Sequence, residues 1–483
     1  MKLADLLDLE SGHPAANLTI TGLSSDSRKT KPGDLFAALT GSQSDGRAFA
    51  SQAVAAGAVA ILAEPGLAEC GVPVIEVPHA RSALSTVASR FFPRQPACVV
   101  AITGTNGKSS TVDFLRQIWT HAGRAAASVG TLGAIGPKGR IDLGFTTPDP
   151  IALHATLQSL ADDGITHIAM ESSSHALDQR RMHGVRLAAA GFSNLTQDHL
   201  DYHGTMAEYR QAKLRLFNDL LSACQPAIVN ADAAEAPAFE EAAKAKSLDL
   251  KLVGWRGDFL KIEELWPKPA SQRVDLRFAN KTYPVEIPLI GEFQALNAVM
   301  AASFALSLGE EPTKVFEGLA GLKTVKGRME HIGSTEDGAH VFVDYAHTPD
   351  GLDVLLRAAR PHAPGRVVLV FGCGGDRDKG KRPLMGGLAA KFADVVIVTD
   401  DNPRTEDAAQ IRKEVMVGCP RALEIGDRGE AIAHAVGLLK KGDCLLIAGK
   451  GHETGQLVMG QILPFSDQEA AASALLARGG TLD

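Results

Sequence analysis

The sequence has no Cys-x-x-Cys pair and no apolar run approaching the ~20 residues that a membrane helix requires. These absences remove whole classes of protein. Its cysteines, Cys70, Cys98, Cys224, Cys373, Cys419 and Cys444, are scattered, so neither a zinc site nor a disulfide framework is indicated. That fits a reducing cytoplasm. The opening Met1-Lys2-Leu3-Ala4-Asp5 carries an acid early and lacks the continuous apolar core of a secretion signal. No sign of charge dominates: the net charge is -7 over 483 residues, a mild acidity that argues against nucleic acid as the main partner. Fixed-period repeats and low-complexity tracts are also missing. What remains is an ordinary globular-enzyme composition, 45% hydrophobic and 22% charged. The length suits about three domains, at one per roughly 150 residues.

The most informative segment is Thr103-Gly104-Thr105-Asn106-Gly107-Lys108-Ser109-Ser110, placed directly after the apolar run Cys98-Val99-Val100-Ala101-Ile102. A buried strand that breaks into a glycine-rich turn and then a helix is the layout of a phosphate-binding loop. Glycines let backbone N–H groups close around phosphate oxygens, and the helix adds its positive N-terminal end. Lys108 is expected on the β/γ-phosphates and the Ser109 hydroxyl on magnesium. The match is partial, since the usual pattern wants glycine where Ile102 stands.

Prolines in Phe92-Pro93-Arg94-Gln95-Pro96 read as a linker that closes a first unit, residues 1–92. The second, 97–326, runs from the phosphate loop through strands predicted at 165–171, 188–194 and 226–230, a β-rich stretch after Lys251, and a helix over 293–308. The third, 328–483, alternates helices with short apolar strands predicted at 341–344, 367–371, 395–399 and 444–448, as expected for βαβ units in a parallel sheet. Polar clusters follow its strands: Asp344-Tyr345-Ala346-His347, Gly372-Cys373-Gly374-Gly375-Asp376-Arg377, Asp400-Asp401-Asn402-Pro403-Arg404 and Gly449-Lys450-Gly451-His452-Glu453. Ligands of open parallel sheets bind outside the carboxyl ends of the strands, so all four clusters should crowd one edge. The predicted fold is therefore α/β in three domains, with a central P-loop ATPase-like parallel sheet and a C-terminal Rossmann-like parallel sheet.

Three further residues stand out. Glu171 ends an apolar strand and His199 lies in a loop after another, so both should share the edge that holds Lys108. Magnesium takes oxygen ligands and keeps waters, so one carboxylate plus phosphate oxygens suffices; alternatively, both residues cap neighbouring helices. Lys213 sits on the apolar stripe of a helix predicted over 206–222, with Tyr209, Leu216, Phe217 and Leu220 at helical spacing. It is either a snorkelling lysine or a partly desolvated amine of lowered pKa that is open to modification.

Taken in order, these strings resemble the Mur ligase family of bacterial cell-wall synthesis. The likeness spans essentially the whole chain: Ser25-Asp26-Ser27-Arg28, Gly33-Asp34-Leu35-Phe36, TGTNGK at 103–108, ESSSH at 171–175, DHLDYHG at 198–204, DYAHTPD at 344–350, GCGGDRDKGKRPLM at 372–385, DNPR at 401–404 and GKGHE at 449–453. The resemblance implies an ATP-driven amide synthesis. ATP phosphorylates the D-glutamate γ-carboxylate of UDP-N-acetylmuramoyl-L-alanyl-D-glutamate, and an amino acid's amine displaces phosphate.

Carried over by motif, Gly104, Thr105, Asn106, Gly107, Lys108, Ser109 and Ser110 would cradle ATP, joined by Asn297, Arg328 and Asp344. Ser109, Glu171 and His199 would serve magnesium, and Lys213 matches a family lysine carbamylated by carbon dioxide into an anionic metal ligand. Lys108, Glu171, His199 and Lys213 form the implied catalytic set. Ser25, Ser27, Ser42 and Gln43 would face the uridine end, with Thr146, Thr147, Ser173, Gln179 and Arg181 on the muramoyl-dipeptide. The DNPR form resembles enzymes that add meso-diaminopimelate, whose distal carboxylate a buried Arg404, fixed by a rigid Asn-Pro turn, could clamp with two parallel N–H bonds. Lysine lacks that carboxylate and would leave the arginine unpaired. Asp401, Asn402 and Pro403 complete the string; Arg377, Gly449 and Glu453 would hold the other end of the amino acid.

Two departures stand beside the likeness. Many relatives read threonine pairs where this chain has Ser109-Ser110, and asparagine where it has Phe145. The expected species is a cytoplasmic monomer with no nucleic-acid partner and no membrane insertion. Its rivals are a lysine-adding ligase, a folylpolyglutamate synthetase and a non-catalytic nucleotide-binding scaffold.

Overall fold

The computed structural model describes residues 1–10, 12–41 and 45–483. By compactness the chain divides into two units, Met1–Phe259 with Met300–Val315, and Leu260–Val299 with Phe316–Asp483. Among the described residues no helix is long and apolar enough to cross a membrane.

The first unit opens with four parallel strands, β1 (Gly22–Ser24), β2 (Asp34–Ala38), β3 (Ala60–Ala63) and β4 (Val74–Glu76), paired in chain order. Eight more follow: β5 (Cys98–Thr103), β6 (Ala126–Gly130), β7 (Gly133–Gly136), β8 (Gly139–Ile141), β9 (His167–Glu171), β10 (Leu187–Phe192), β11 (Pro226–Asn230) and β12 (Asp249–Gly254). They pair in the order β12-β11-β10-β5-β9-β6-β7-β8. The pairs from β12 to β6 are parallel, and β7 and β8 add an antiparallel edge. The inner strands are buried along nearly all their length, which is why they read as continuous apolar runs rather than alternating ones. Phe192 and Phe239 stack at 3.6 Å in the core beneath them.

Local chemistry sets the helix starts that matter. Gly107, at φ +84°, turns the chain into helix Lys108–His121. Asp149 accepts from the backbone N–H of Ile151 and Ala152 to start Pro150–Asp162. A reciprocal capping box between Thr205 and Glu208 starts Met206–Asn218.

In the second unit, β13 (Leu260–Pro267), β14 (Gln272–Phe278) and β15 (Lys281–Ile287) form an antiparallel meander. Then come β16 (Glu330–Ser334), β17 (His340–Asp344), β18 (Val367–Phe371), β19 (Val395–Val398), β20 (Leu423–Glu424) and β21 (Cys444–Ala448), a hairpin of β22 (Gly455–Val458) and β23 (Gln461–Pro464), and β24 (Thr481–Leu482). The sheet runs β20-β19-β18-β21-β17-β16-β24 and is parallel from β20 to β17. The registers Asp344↔Ala448, Val370↔Ile447 and Phe371↔Val398 bring all four polar clusters to one sheet edge, as expected. Both sheets are the parallel-dominated α/β type predicted.

Candidate active site

At the carboxyl edge of the first unit's large sheet, the pairs Ile102↔Glu171 and Thr103↔Phe192 put three strand ends side by side. The loop Gly104–Gly107 leaves β5 there. Gly104 has φ +151°, and a Cβ on it would lie 2.0 Å from Ser193 Oγ, so only glycine fits. The loop is tied down by residues after β10 that the sequence did not single out. Asn106 N donates to Asn194 Oδ1 (2.9 Å), and Ser193 Oγ donates to the Asn106 carbonyl (2.7 Å). Lys108 Nζ folds back over the loop, donating to the carbonyls of Gly104 (2.9 Å) and Thr105 (2.8 Å). Ser109 and Ser110 are buried in the first turn of the helix.

Glu171 does not cap a helix. Its Oε1 accepts from Ser109 Oγ and from Thr131 N, both at 2.8 Å, and the residue is 2% exposed. The following helix is capped by Ser173 instead, whose Oγ accepts from Ala176 N. His199, at φ +52°, precedes helix Leu200–His203 without a side-chain cap bond, which leaves its ring free of capping duty. That ring packs 4.9 Å from His175, which also meets Tyr202 and His203. Burial, then the neighbouring His199, lowers the His175 pKa.

Lys213 does not snorkel. It is 1% exposed, and its Nζ donates to the Gly104 carbonyl at 2.8 Å, 4.5 Å from the Tyr209 ring centre. Burial pushes its pKa well below the ordinary value; Lys108 pushes the same way, and Asp198 opposes. The helix that carries it ends at Asn218, earlier than the predicted 222. Tyr209 on the same helix shares a hydrogen bond with Thr105 Oγ1 (3.2 Å).

Among the described residues no group of three or more His, Cys, Asp and Glu is gathered to hold a metal. The donors present suit magnesium nevertheless. One carboxylate and one hydroxyl meet at a helix N-terminus, the sparse oxygen set expected for an ion that also takes phosphate oxygens and waters.

From Glu171 a chain of contacts leads to the predicted muramoyl-dipeptide residues. Thr131 Oγ1 lies 3.0 Å from Thr146 Oγ1, Thr147 Oγ1 donates to the Glu171 carbonyl (2.9 Å), and Ser173 N donates to Thr147 Oγ1 (3.2 Å). Arg181 donates to the Thr147 carbonyl (2.7 Å) and to Gln179 Oε1 (2.8 Å). A cavity of about 160 Å³ is lined by Gln179 and Arg181 together with Ser25, Arg81, Phe145 and Asp149. Arg81 had no motif to announce it. Ser27 is buried with its hydroxyl on Gln52 (2.9 Å), and Ser42 and Gln43 lie outside the described residues.

In the second unit, Asn297 Nδ2 donates to Gln294 Oε1 (3.1 Å), and Gln294 Nε2 donates to the Arg328 carbonyl (3.1 Å). The Arg328 guanidinium lies 4.7 Å over the Tyr345 ring. Asp344 closes β17, accepting from Met329 N and Ala346 N; burial raises its pKa against the pull of Arg328. Arg377 is exposed.

The DNPR segment and GKGHE meet here. Asn402 Nδ2 donates to Glu453 Oε2 (2.9 Å), and Asp401 Oδ2 lies 2.6 Å from where a Cβ on Gly449 would be. The Pro403 carbonyl sits 1.9 Å from the corresponding position on Gly375, which ties the two loops. Arg404 departs from expectation in being partly exposed rather than buried, with φ +55°. The Asn-Pro turn alone does not fix it: Arg404 Nη1 donates to the Gly375 carbonyl (2.6 Å), and its backbone pairs with the hairpin at Leu457 and Met459.

Three family profiles match the chain in succession: "Mur ligase family, catalytic domain" over 19–92, "Mur ligase middle domain" over 102–305 and "Mur ligase, glutamate ligase domain" over 327–451. The UDP-N-acetylmuramoyl-L-alanyl-D-glutamate–2,6-diaminopimelate ligase of Chelativorans sp. (strain BNC1) is 51% identical, with 99% of each chain covered. That of Brucella melitensis biotype 1 is 50% identical, with 96% of each covered. A solved structure of an enzyme of that name superposes with TM-score 0.78 at 33% identity over 100% of both chains. A MurF structure from Acinetobacter baumannii, at 22% identity over 89% of this chain and 90% of its own, gives TM-score 0.62 and speaks for the fold alone.

Proposed function

This chain belongs to the Mur ligase family, and we propose that it joins meso-2,6-diaminopimelate to UDP-N-acetylmuramoyl-L-alanyl-D-glutamate at the expense of ATP, in peptidoglycan precursor synthesis. The observation that carries this reading is 51% identity over nearly the whole length to a ligase named for that reaction.

The residues support a sequence of steps. The γ-phosphoryl group passes from ATP to the D-glutamate γ-carboxylate, giving an acyl phosphate and ADP. The amine of diaminopimelate attacks the acyl carbon, phosphate leaves with the C–O bond, and the nitrogen gives up a proton. Such a transfer between two anions needs positive charge and fixed geometry more than covalent help. The Gly104–Gly107 backbone and the start of helix Lys108–His121 offer N–H groups to phosphate, and Lys108 Nζ, already over the loop, supplies charge. Magnesium when bound neutralises phosphate charge; Ser109, Glu171 and His199 are the residues assigned to hold it.

We assign Lys213 as the carbamate lysine. Burial and the nearby Lys108 lower the Lys213 pKa and so favour the neutral amine, the form that adds carbon dioxide, releasing a proton as the N–C bond forms. The product would be an anion between Lys108 and the loop. Thr146, Thr147, Ser173, Gln179 and Arg181 would take the muramoyl-dipeptide, and Ser25, Ser27, Ser42 and Gln43 the uridine end. Asn297, Arg328 and Asp344 would contact the nucleotide. Arg377, Asp401, Asn402, Pro403, Arg404, Gly449 and Glu453 would take the amino acid. The division 1–92, 97–326 and 328–483, a cytoplasmic location and a monomeric state belong to the same proposal.

The test is to incubate the protein with ATP, magnesium and the nucleotide dipeptide, offering meso-diaminopimelate or L-lysine separately, and to follow phosphate release and product mass. Product with diaminopimelate alone is expected. Lysine product would keep the ligase and discard the Arg404 argument; no product with either would revive the scaffold alternative.

A further inference from the structure

Lys450 follows β21 directly and is 0% exposed. Its Nζ donates to Asn402 Oδ1 (3.2 Å) and to Glu453 Oε2 (3.1 Å). Asn402 Nδ2 donates to the same Oε2 (2.9 Å), so the three side chains close a ring. Asn402 Oδ1 also accepts from Leu457 N (2.9 Å), which fastens the ring to the hairpin. The glycines on either side of Lys450 pin its backbone. A Cβ on Gly449 would lie 2.6 Å from Asp401 Oδ2, and one on Gly451 2.6 Å from Tyr345 Cβ, at φ +119° and +52°.

A buried ammonium is costly unless fully paired, so an ion pair that only held the fold together would be a poor use of this position. The placement points elsewhere. The ring stands at the carboxyl ends of β19 and β21, where open parallel sheets bind ligands. The Glu453 side chain is 34% exposed, and its Oε1 makes no hydrogen bond among the described residues, while Oε2 is occupied twice.

We propose that Lys450 is a positioning residue of the amino-acid pocket: it locks Oε2 of Glu453 and the amide of Asn402 so that Oε1 alone is presented to an ammonium of the incoming amino acid. This rests on the reading of Glu453 as an amino-acid contact. Without Lys450 the carboxylate would have to be ordered at the moment of binding, and that cost falls on affinity for the amino acid.

The experiment measures KM for diaminopimelate, ATP and the nucleotide dipeptide, with kcat, in wild type, Lys450→Met, Lys450→Arg, Glu453→Gln and the double variant Lys450→Met/Glu453→Gln. Lys450→Met is expected to raise KM for diaminopimelate roughly 10- to 100-fold, the range of a lost charge-assisted hydrogen bond. The other two KM values and kcat should hold. Lys450→Arg, which keeps the charge, should recover part of the loss. The double variant should be no worse than Glu453→Gln, because Lys450 acts through that carboxylate. Should Lys450→Met not fold, Lys450→Gln carries the same comparison. Equal rises in all three KM values, additive losses in the double variant, or an unchanged diaminopimelate KM would each overturn the proposal. A wild-type protein that does not use diaminopimelate would instead overturn the functional reading beneath it.

Discussion

Gly130→Ala tests the position of Glu171 without altering its chemistry. Gly130 ends β6, next to β9, and a methyl there would lie 2.1 Å from Glu171 Oε1 and 2.6 Å from both Cδ and Cγ. The clash involves the length of the side chain, and Glu171 is 2% exposed with only a cavity of about 10 Å³ beside it, so it has little space to swing into. Clearing the methyl requires a shift of about 1 Å or more, since real contacts stay beyond roughly 3 Å. Oε1 would leave both Ser109 Oγ and Thr131 N, each now at 2.8 Å. A misplacement of about 1 Å at a catalytic group costs on the order of 100-fold, so kcat should fall about that far. Two hydrogen bonds to a charged acceptor are also lost, which should lower stability by about 3–6 kcal/mol. Phosphate release at saturating substrate reads the first effect and denaturant unfolding the second. Gly136→Ala is the control, because its methyl would meet Ala127 Cβ at 3.5 Å, an ordinary contact. A folded Gly130→Ala protein with kcat within about threefold of wild type, against the 100-fold argued from geometry, would refute the placement of Glu171 in the reaction.

Three other outcomes are expected. Lys213→Ala should abolish turnover while leaving nucleotide-dipeptide binding largely intact by calorimetry; normal turnover would sink the carbamate assignment. Arg404→Ala should raise KM for diaminopimelate about 100-fold, the scale of a lost bidentate charge pair, and leave KM for ATP nearly unchanged; equal effects on both would mean the pocket is elsewhere. Buried His154 bonds the His183 carbonyl (3.1 Å), and burial lowers its pKa from 6.5 to about 4. Because the unfolded chain protonates first, that contribution to stability is complete above pH 6.5 and is lost as pH falls towards 4, to a limit of about 3 kcal/mol. Unfolding free energies at pH 7 and pH 5 should therefore converge in His154→Leu relative to wild type, and an identical pH slope in both would contradict the burial argument.

The parallel strands were legible because burial on both faces leaves a run of apolar residues bounded by polar ones; Val367–Phe371, Pro226–Asn230 and Cys444–Ala448 begin and end where the sequence suggests. Boundaries slipped where apolar residues belong to turns. Ile165 continues the pattern of β9, but its N–H bonds the Leu160 carbonyl in a helix-end turn, so the strand starts at His167. The stripe of helix Met206–Asn218 likewise runs on to Leu220 after the helix has ended. Strand-end motifs located the phosphate loop, Glu171 and the four clusters. Thr131, Ser193 and Asn194, which hold them in place, are lone polar side chains whose partners lie far off in sequence, and no local pattern marks them; Lys450 stands within the GKGHE string, but its bond to the distant Asn402 was not visible there. Arg404 shows the same limit: the Asn-Pro turn was visible, whereas its pairing with the hairpin was not.

Each unit buries one lysine at the carboxyl edge of its parallel sheet, and the partners decide what each amine is for. Lys213 donates to a backbone carbonyl and has Lys108 nearby, and burial outweighs the opposing pull of Asp198 to disfavour its charged form. That direction favours the neutral amine, the form able to act as a nucleophile. Lys450 meets a carboxylate and an amide oxygen, so its charge is matched where it stands. An amine held that way orients its partners. On the proposed assignments the same side chain would serve chemistry at one edge and geometry at the other. Exchanging the character of either position should fail in a distinctive way: Lys213→Arg, permanently charged, should lose turnover as Lys213→Ala does, while Lys450→Arg should retain much of it.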